Sequence, residues 1–222
     1  MNVIEGLHMR KSIRGYKQDP VSRDVIAKIL ENATRAPSAE NTQPWELTVV
    51  TGKALDDMRQ ENIRWLNAGK EPSPTIIRKP YENIYRKRRI ELAVELFELA
   101  GIRKDDKESR ANWSQRGFRY FDAPAIIIVC IDKSMQASFA LFDCGALCQS
   151  ICIAALEYGL GTCITEQGIL FPETVRKYAR IPESKQIIVN ITIGYPDWTF
   201  PANKLVSKRD PLDSITTWIG YD

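Results

Sequence analysis

The sequence predicts an α+β domain in which a small sheet is flanked by several helices. Two runs rich in β-branched residues, Ala125–Ile131 and Gln186–Gly194, read as strands buried on both faces. Between them, Gln136–Tyr158 is the longest helical pattern, and only Asp143 and Glu157 in it are charged. A helix apolar nearly all round has to be buried on most sides. In a chain of 222 residues this predicts burial against a second subunit as well as the chain's own core.

The elements follow in order. Residues 2–9 form a short opening helix. Ser22 is the expected N-cap of a helix carrying Val25, Ile26, Ile29 and Leu30 at helical spacing, which Pro37 ends. Trp45–Val50 is a strand closed by Thr51-Gly52, and a helix runs from Lys53 to about Leu66. Residues 67–81, with Gly69, Pro72, Pro74 and Pro80, read as an extended, mobile connection. Glu82–Ala100 and Lys107–Arg119 return to helix. The cations Arg86 to Arg89, relieved by Glu91 and Glu95, read as a solvated face or a partner contact. After the long helix, Gly159-Leu160-Gly161 leads into Thr162–Glu166, and Phe171–Ala179 is a short helix. Residues 196–222 hold Pro196, Pro201 and Pro211 and form an extended tail expected to pack across a second subunit.

Composition narrows the class. The length fits one domain spanning 1–222. Hydrophobic residues at 44% and charged residues at 27% fit a globular protein. The net charge of +3 does not suggest a nucleic-acid binder. No segment is expected to approach the roughly 20 apolar residues that span a bilayer. The start carries Glu5 where a signal peptide has a basic region and then an apolar core, so a cytoplasmic protein is expected. Five cysteines argue against a disulfide framework. Cys144, Cys148 and Cys152 form one helical stripe, read as small buried hydrophobes and not as a metal site.

Several reactive motifs are missing. The Gly159-Leu160-Gly161 turn follows a helix and has Ile164 where a dinucleotide fingerprint needs a third small residue. There is no phosphate-binding P-loop and no G-x-S-x-G. His8, the sole histidine, rules out H-E-x-x-H and is poorly placed to activate a cysteine. The remaining polar groups hold ligands without offering a nucleophile, as expected where a cofactor carries the reaction. Arg10-Lys11-Ser12-Ile13-Arg14 packs three cations and a hydroxyl into five residues, a composition suited to a phosphate monoester. Ala36–Trp45 is turn-rich and presents backbone and amide donors to a polar ligand.

Together, and in this order, these segments resemble the FMN-dependent nitroreductase family. Arg10–Arg14 matches that family's R-[RK]-S-x-R, and Ala36–Trp45 its A-P-S-x-x-N-x-Q-P-W. Gly159–Glu166 and the strand ending Gly194-Tyr195-Pro196 match in sequence, as does Arg209 before Pro211, with Lys208 as the alternative cation. The resemblance implies a small central mixed sheet, a long helix at a dimer interface and an extended C-terminal tail. It also implies FMN held by Arg10, Lys11, Ser12, Arg14 and Arg209. Pro37, Ser38, Ala39 and Asn41 are implied to reach the flavin from the other subunit of a homodimer, and Ile164, Thr165 and Glu166 to lie beside its N5. Hydride then passes from NADH or NADPH through FMN to a small electron-poor acceptor such as a nitroaromatic or a quinone. No acid or base residue and no metal is implied.

Residues 67–121 resemble the insertion of nitrobenzoate-reductase-like members, which covers the flavin. Trp113, Phe118 and Tyr120 are its expected substrate-stacking aromatics, and Phe121 is expected in the core. Three alternatives remain at this point: a reductive dehalogenase of the deiodinase kind, faintly echoed by Glu82 and Tyr85, another specialised flavin reaction, and a flavin-binding protein without catalysis.

Overall fold

A computed structural model describes residues 2–73 and 79–221. Pro74, within the expected extended connection, lies outside the described residues. Seven helices are described: α1 (Val3–Met9), α2 (Arg23–Ala33), α3 (Gly52–Asn67), α4 (Asn83–Leu99), α5 (Lys107–Phe118), α6 (Ala137–Leu156) and α7 (Pro172–Ala179). The strands are β1 (Trp45–Thr51), β2 (Ala125–Asp132), β3 (Gly161–Thr165) and β4 (Lys185–Gly194). Ser22 caps α2 as expected, its Oγ accepting from the Val25 amide at 3.3 Å. The helix closes at Ala33, ahead of Pro37.

The sheet order is β1-β2-β4-β3, and all three pairings are antiparallel. This corrects the expected mixed sheet. The parallel element is a single bridge outside the strands, between Ser12 and Thr162. Too short to form a strand, Ser12 adds one parallel contact to the β3 edge.

Side chains alternate across β2 and build two cores. Ile127, Val129 and Ile131 pack with Ile26 and Ile29 of α2 and Leu147 and Ile151 of α6. Ile126, Ile128 and Cys130 face the other way, towards Leu55 and Met58 of α3 and Val175 of α7. Both faces of the sheet are therefore covered, which is why the central strand β2 reads as a continuous apolar run.

At 20 residues and a mean hydropathy of 1.8, α6 is long and apolar enough to cross a membrane by length and composition, contrary to the sequence expectation. Its inner face is the centre of the first core, and Asp143 is buried in it. Phe139 and Phe142 on its outer face are 59% and 79% exposed. The C-terminal segment has two characters. Ala202, Asn203 and Leu205 are buried, whereas Val206, Ile215, Trp218 and Ile219 are exposed.

Candidate active site

The Arg10–Gly15 segment leaves α1 in extended conformation and runs beside the edge strand β3. The Ile13 amide donates to the Thr162 carbonyl at 2.9 Å. Gly161 permits this approach, because a Cβ there would lie 2.5 Å from Ile13 Cγ1 and 2.8 Å from Pro196 Cγ. Farther on, Asn203 clamps the segment. Its Oδ1 accepts from the amides of Arg14 at 2.7 Å and Gly15 at 3.2 Å. Its Nδ2 donates to the carbonyls of Gly15 and Asp197, both at 2.8 Å. A fully buried amide with this many partners fixes backbone geometry firmly. A second strut is Arg116 of α5, whose Nη2 donates to the Arg14 carbonyl at 2.9 Å while its guanidinium lies 4.6 Å over the Phe200 ring.

Cys163 in β3 lies in the field of Arg10 and Arg14 and within hydrogen-bond reach of Ser12. Burial pushes the Cys163 thiol up, while Arg14, a hydrogen bond from Ser12 and Arg10 act against the rise. Arg10 and Arg14 are half-buried, and among the described residues neither pairs with a carboxylate. Two such guanidiniums with spare donors suit an oxyanion such as a phosphate. Lys11 lies 5.2 Å over the Trp198 ring, and burial lowers its pKa. With Arg10, Gly159, Thr162 and Trp198 it lines a cleft of about 200 Å³. Ile164 is 42% exposed, and Thr165 and Glu166 are half-buried at the end of the same strand.

The second segment is anchored elsewhere. Both carboxylate oxygens of Asp143 accept from the Ala39 amide at 3.2 Å. Ser38 Oγ accepts from the Gln43 amide at 3.0 Å. Glu40, Asn41 and Gln43 have φ of 51°, 57° and 45°, an uncommon left-handed conformation for residues with side chains. Pro37, Ala39 and Asn41 are exposed and Ser38 is half-buried. Among the described residues, no hydrogen bond or ion pair joins this loop to Arg10–Arg14. Arg209 is also apart: it is exposed and donates to Ser207 and the Lys208 carbonyl.

The insertion divides. Trp113 is half-buried, parallel to Phe200 (6.4 Å, 6°) and edge-on to Phe97. Phe118 and Tyr120 are 5% and 0% exposed, which corrects their expected role against substrate. Phe118 packs on Phe171, and Tyr120 donates to the Gly168 carbonyl at 2.7 Å. Fully covered rings offer no face to a ligand. Phe121 is in the core as expected. Asn203, Asp143 and Arg116 were not singled out from the sequence. Only the charge of Asp143 in an apolar helix offered a local signal.

The fold and this groove define an α+β protein with a cation-lined edge beside β3. The model of the nitroreductase family matches residues 7–195, and the chain belongs to that family. It is 31% identical over 222 residues to a 4-nitrobenzoate reductase of Nocardioides sp. (strain LMS-CY), covering 96% of this chain and 88% of the relative. It is 29% identical over 214 residues to a nitrobenzene nitroreductase of Ectopseudomonas oleovorans, covering 95% and 93%. The crystal structure of the FMN and NADPH-dependent nitroreductase NfnB from Sphigopyxis sp. strain HMH superposes with a TM-score of 0.95 at 29% identity over 100% of both chains.

Proposed function

We propose that the protein is an FMN-dependent oxidoreductase that takes hydride from NADH or NADPH and delivers it to a small electron-poor acceptor, a nitroaromatic or a quinone. One observation carries the reading: two half-buried arginines that have no carboxylate partner among the described residues flank a hydroxyl along the β3 edge. A phosphate monoester brings about −1.5 to −2 charges, which Arg10 and Arg14 offset with charge-assisted hydrogen bonds. Arg209 is the third cation assigned to this group. The activities named for the similar proteins support the acceptor class, and the FMN- and NADPH-dependence of the similar structure supports the cofactors.

FMN, when bound, supplies the hydride chemistry. The chain binds and orients. Ser12 and Lys11 extend the donor row from the arginines, and Ile164, Thr165 and Glu166 line the edge assigned to the ring system. Pro37, Ser38, Ala39 and Asn41 are assigned to the flavin of a second copy. The Ala39 amide is already committed to Asp143, so that residue contributes packing there and not a donor. Phe139 and Phe142 on α6 and Ile215, Trp218 and Ile219 on the tail support a homodimer, since exposed apolar patches of this kind mark association surfaces. Five unpaired, buried cysteines support a reducing compartment, the cytoplasm. Trp113 remains the aromatic assigned to substrate.

The test starts with purification, which should yield a yellow protein with about one FMN per chain, bleached anaerobically by NADPH or NADH and re-oxidised by nitrobenzoate. Replacing Arg10 and Arg14 by Ala should weaken FMN binding by about 1.5–3 kcal/mol for each lost charge-assisted bond. A protein that takes up no FMN, or a double variant that binds it normally, overturns the reading.

A further inference from the structure

Asp143 is an anomaly in its surroundings. It is the single charged residue among the twenty of α6, it is 3% exposed, and its helix neighbours Ala140, Cys144 and Leu147 belong to the apolar core. A carboxylate buried in such a place disfavours folding unless hydrogen bonds repay its lost hydration. The partner described for it is one backbone amide, Ala39 N–H, shared between both oxygens at 3.2 Å. An ionised carboxylate has acceptor sites for about four donors, so a single N–H is a poor return for its burial. Stability alone gives no reason to keep an acid here.

The loop it holds supplies a reason. Ala39–Asn41 is one 3-10 turn, and three residues of 40–43 adopt left-handed backbone conformations without being glycine. Such a conformation persists where its surroundings over-determine it. Inside the loop are the Gln43-to-Ser38 hydrogen bond and two turn bonds, from Asn41 N to Ser38 O and from Thr42 N to Ala39 O. Among the described residues, the Ala39–Asp143 hydrogen bond is the one that ties the turn to the body of the protein. Beyond it, Ala39 to Gln43 are exposed, as is Phe142, which precedes Asp143 on α6.

We infer that Asp143 is a positioning residue that presets the Ser38–Asn41 turn for ligand binding, at the expense of core stability. The inference rests on the flavin reading above. It also links the two roles of α6, because one face builds the core while the residue beside Phe142 sets a loop presented to another molecule.

Two variants remove the contact from opposite sides. Asp143→Leu deletes the acceptor. Ala39→Pro deletes the donor, and it suits the first position of a 3-10 turn after the extended Ser38. Asp143→Asn keeps an acceptor for the same amide. Apoprotein of each variant is titrated with FMN, its melting temperature is recorded, and amide exchange is followed across residues 38–43. Asp143→Leu and Ala39→Pro should each weaken FMN binding about tenfold or more, and the double variant should be no worse than the weaker single, because both remove one interaction. Asp143→Asn should stay within about threefold of the parent, since one good acceptor suffices for one N–H. The melting temperature of Asp143→Leu apoprotein should hold or rise while exchange at residues 38–43 quickens. Unchanged FMN affinity in Asp143→Leu, or fully additive losses in the double variant, overturns the inference. So does parallel loss of melting temperature and affinity in Asp143→Leu. If Asp143→Leu does not fold, Ala39→Pro and Asp143→Asn decide by the same criteria. If the parent takes up no FMN, the flavin reading fails by itself, and amide exchange still decides whether Asp143 holds the turn.

Discussion

Strand β2, with seven apolar residues in eight, and helix α4, with nine in seventeen, meet opposite fates. Seven of the eight residues of β2 are buried, with neighbours at both edges and on both faces. None of the 17 residues of α4 is buried, and Ile84, Tyr85, Ile90 and Val94 remain about half exposed. The helix leans on the Pro201–Lys204 turn, on Trp113 through Phe97, and on the tail through the Arg88–Asp210 ion pair. The boundary between the two regimes falls inside α5. Trp113 lies on the outer side of it, while Phe118, Tyr120 and Phe121 are buried, as β2 is. An insertion contiguous in sequence is thus two physical objects, a loosely attached helix and a core segment.

Alkaline pH should strain this contrast most. All five cysteines lie outside residues 67–121, in the sheet and α6, and burial pushes Cys130 and Cys148 up to about 12 and Cys144 and Cys152 up to about 11. Thiols of the unfolded chain ionise near about 8.5, so the unfolded state binds fewer protons as pH rises beyond that point. Stability contributed by the buried thiols is whole below about 8.5 and is lost as pH rises towards the folded values, at about 1.4 kcal/mol per pH unit for each thiol. Urea midpoints at neutral pH and above pH 9 measure the slope, and Cys148→Ala should flatten it by one thiol's share.

Tyr120→Ala comes next. It opens a cavity in the second core and removes one of the two donors to the Gly168 carbonyl, the other being Asn62 Nδ2, so a loss of about 3–5 kcal/mol in urea unfolding is expected. A loss near zero would move the boundary past Tyr120. Trp113→Ala should cost less, about 0.5–1.5 kcal/mol for its ring pairs, while KM for a nitroaromatic rises. A deep loss of stability with normal acceptor kinetics would place Trp113 in the core regime instead. The smallest effect belongs to Arg88→Ala. Its pair with Asp210 is well exposed, and removing it should shift stability by no more than about 0.5 kcal/mol.

The two regimes also explain what was legible in the chain. From Ala125 to Ile131 β2 is apolar without interruption, and β4 from Ile187 to Ile193 is broken only by Asn190 and Thr192, because both sheet faces are covered, and Ser22 caps α2 through a bond three residues long. Phe118 and Tyr120 looked like exposed aromatics because they follow a polar helix. Their burial is set by Phe171 and Gly168, about 50 residues downstream, which no local pattern announces. The strand directions escaped for the same reason, since apolar runs have no sign.

What the sequence determined by itself is the set of elements and the positions of the cation-rich segment and the turn-rich loop, since periodicity, caps and motif composition act over a few residues. The tertiary structure alone decided how those two segments are held. Asn203 reaches the Arg14 amide across 189 residues of chain, and Asp143 reaches Ala39 across 104. A hydrogen bond of that span leaves no spacing to read, because its two ends meet only after the sheet and α6 have packed.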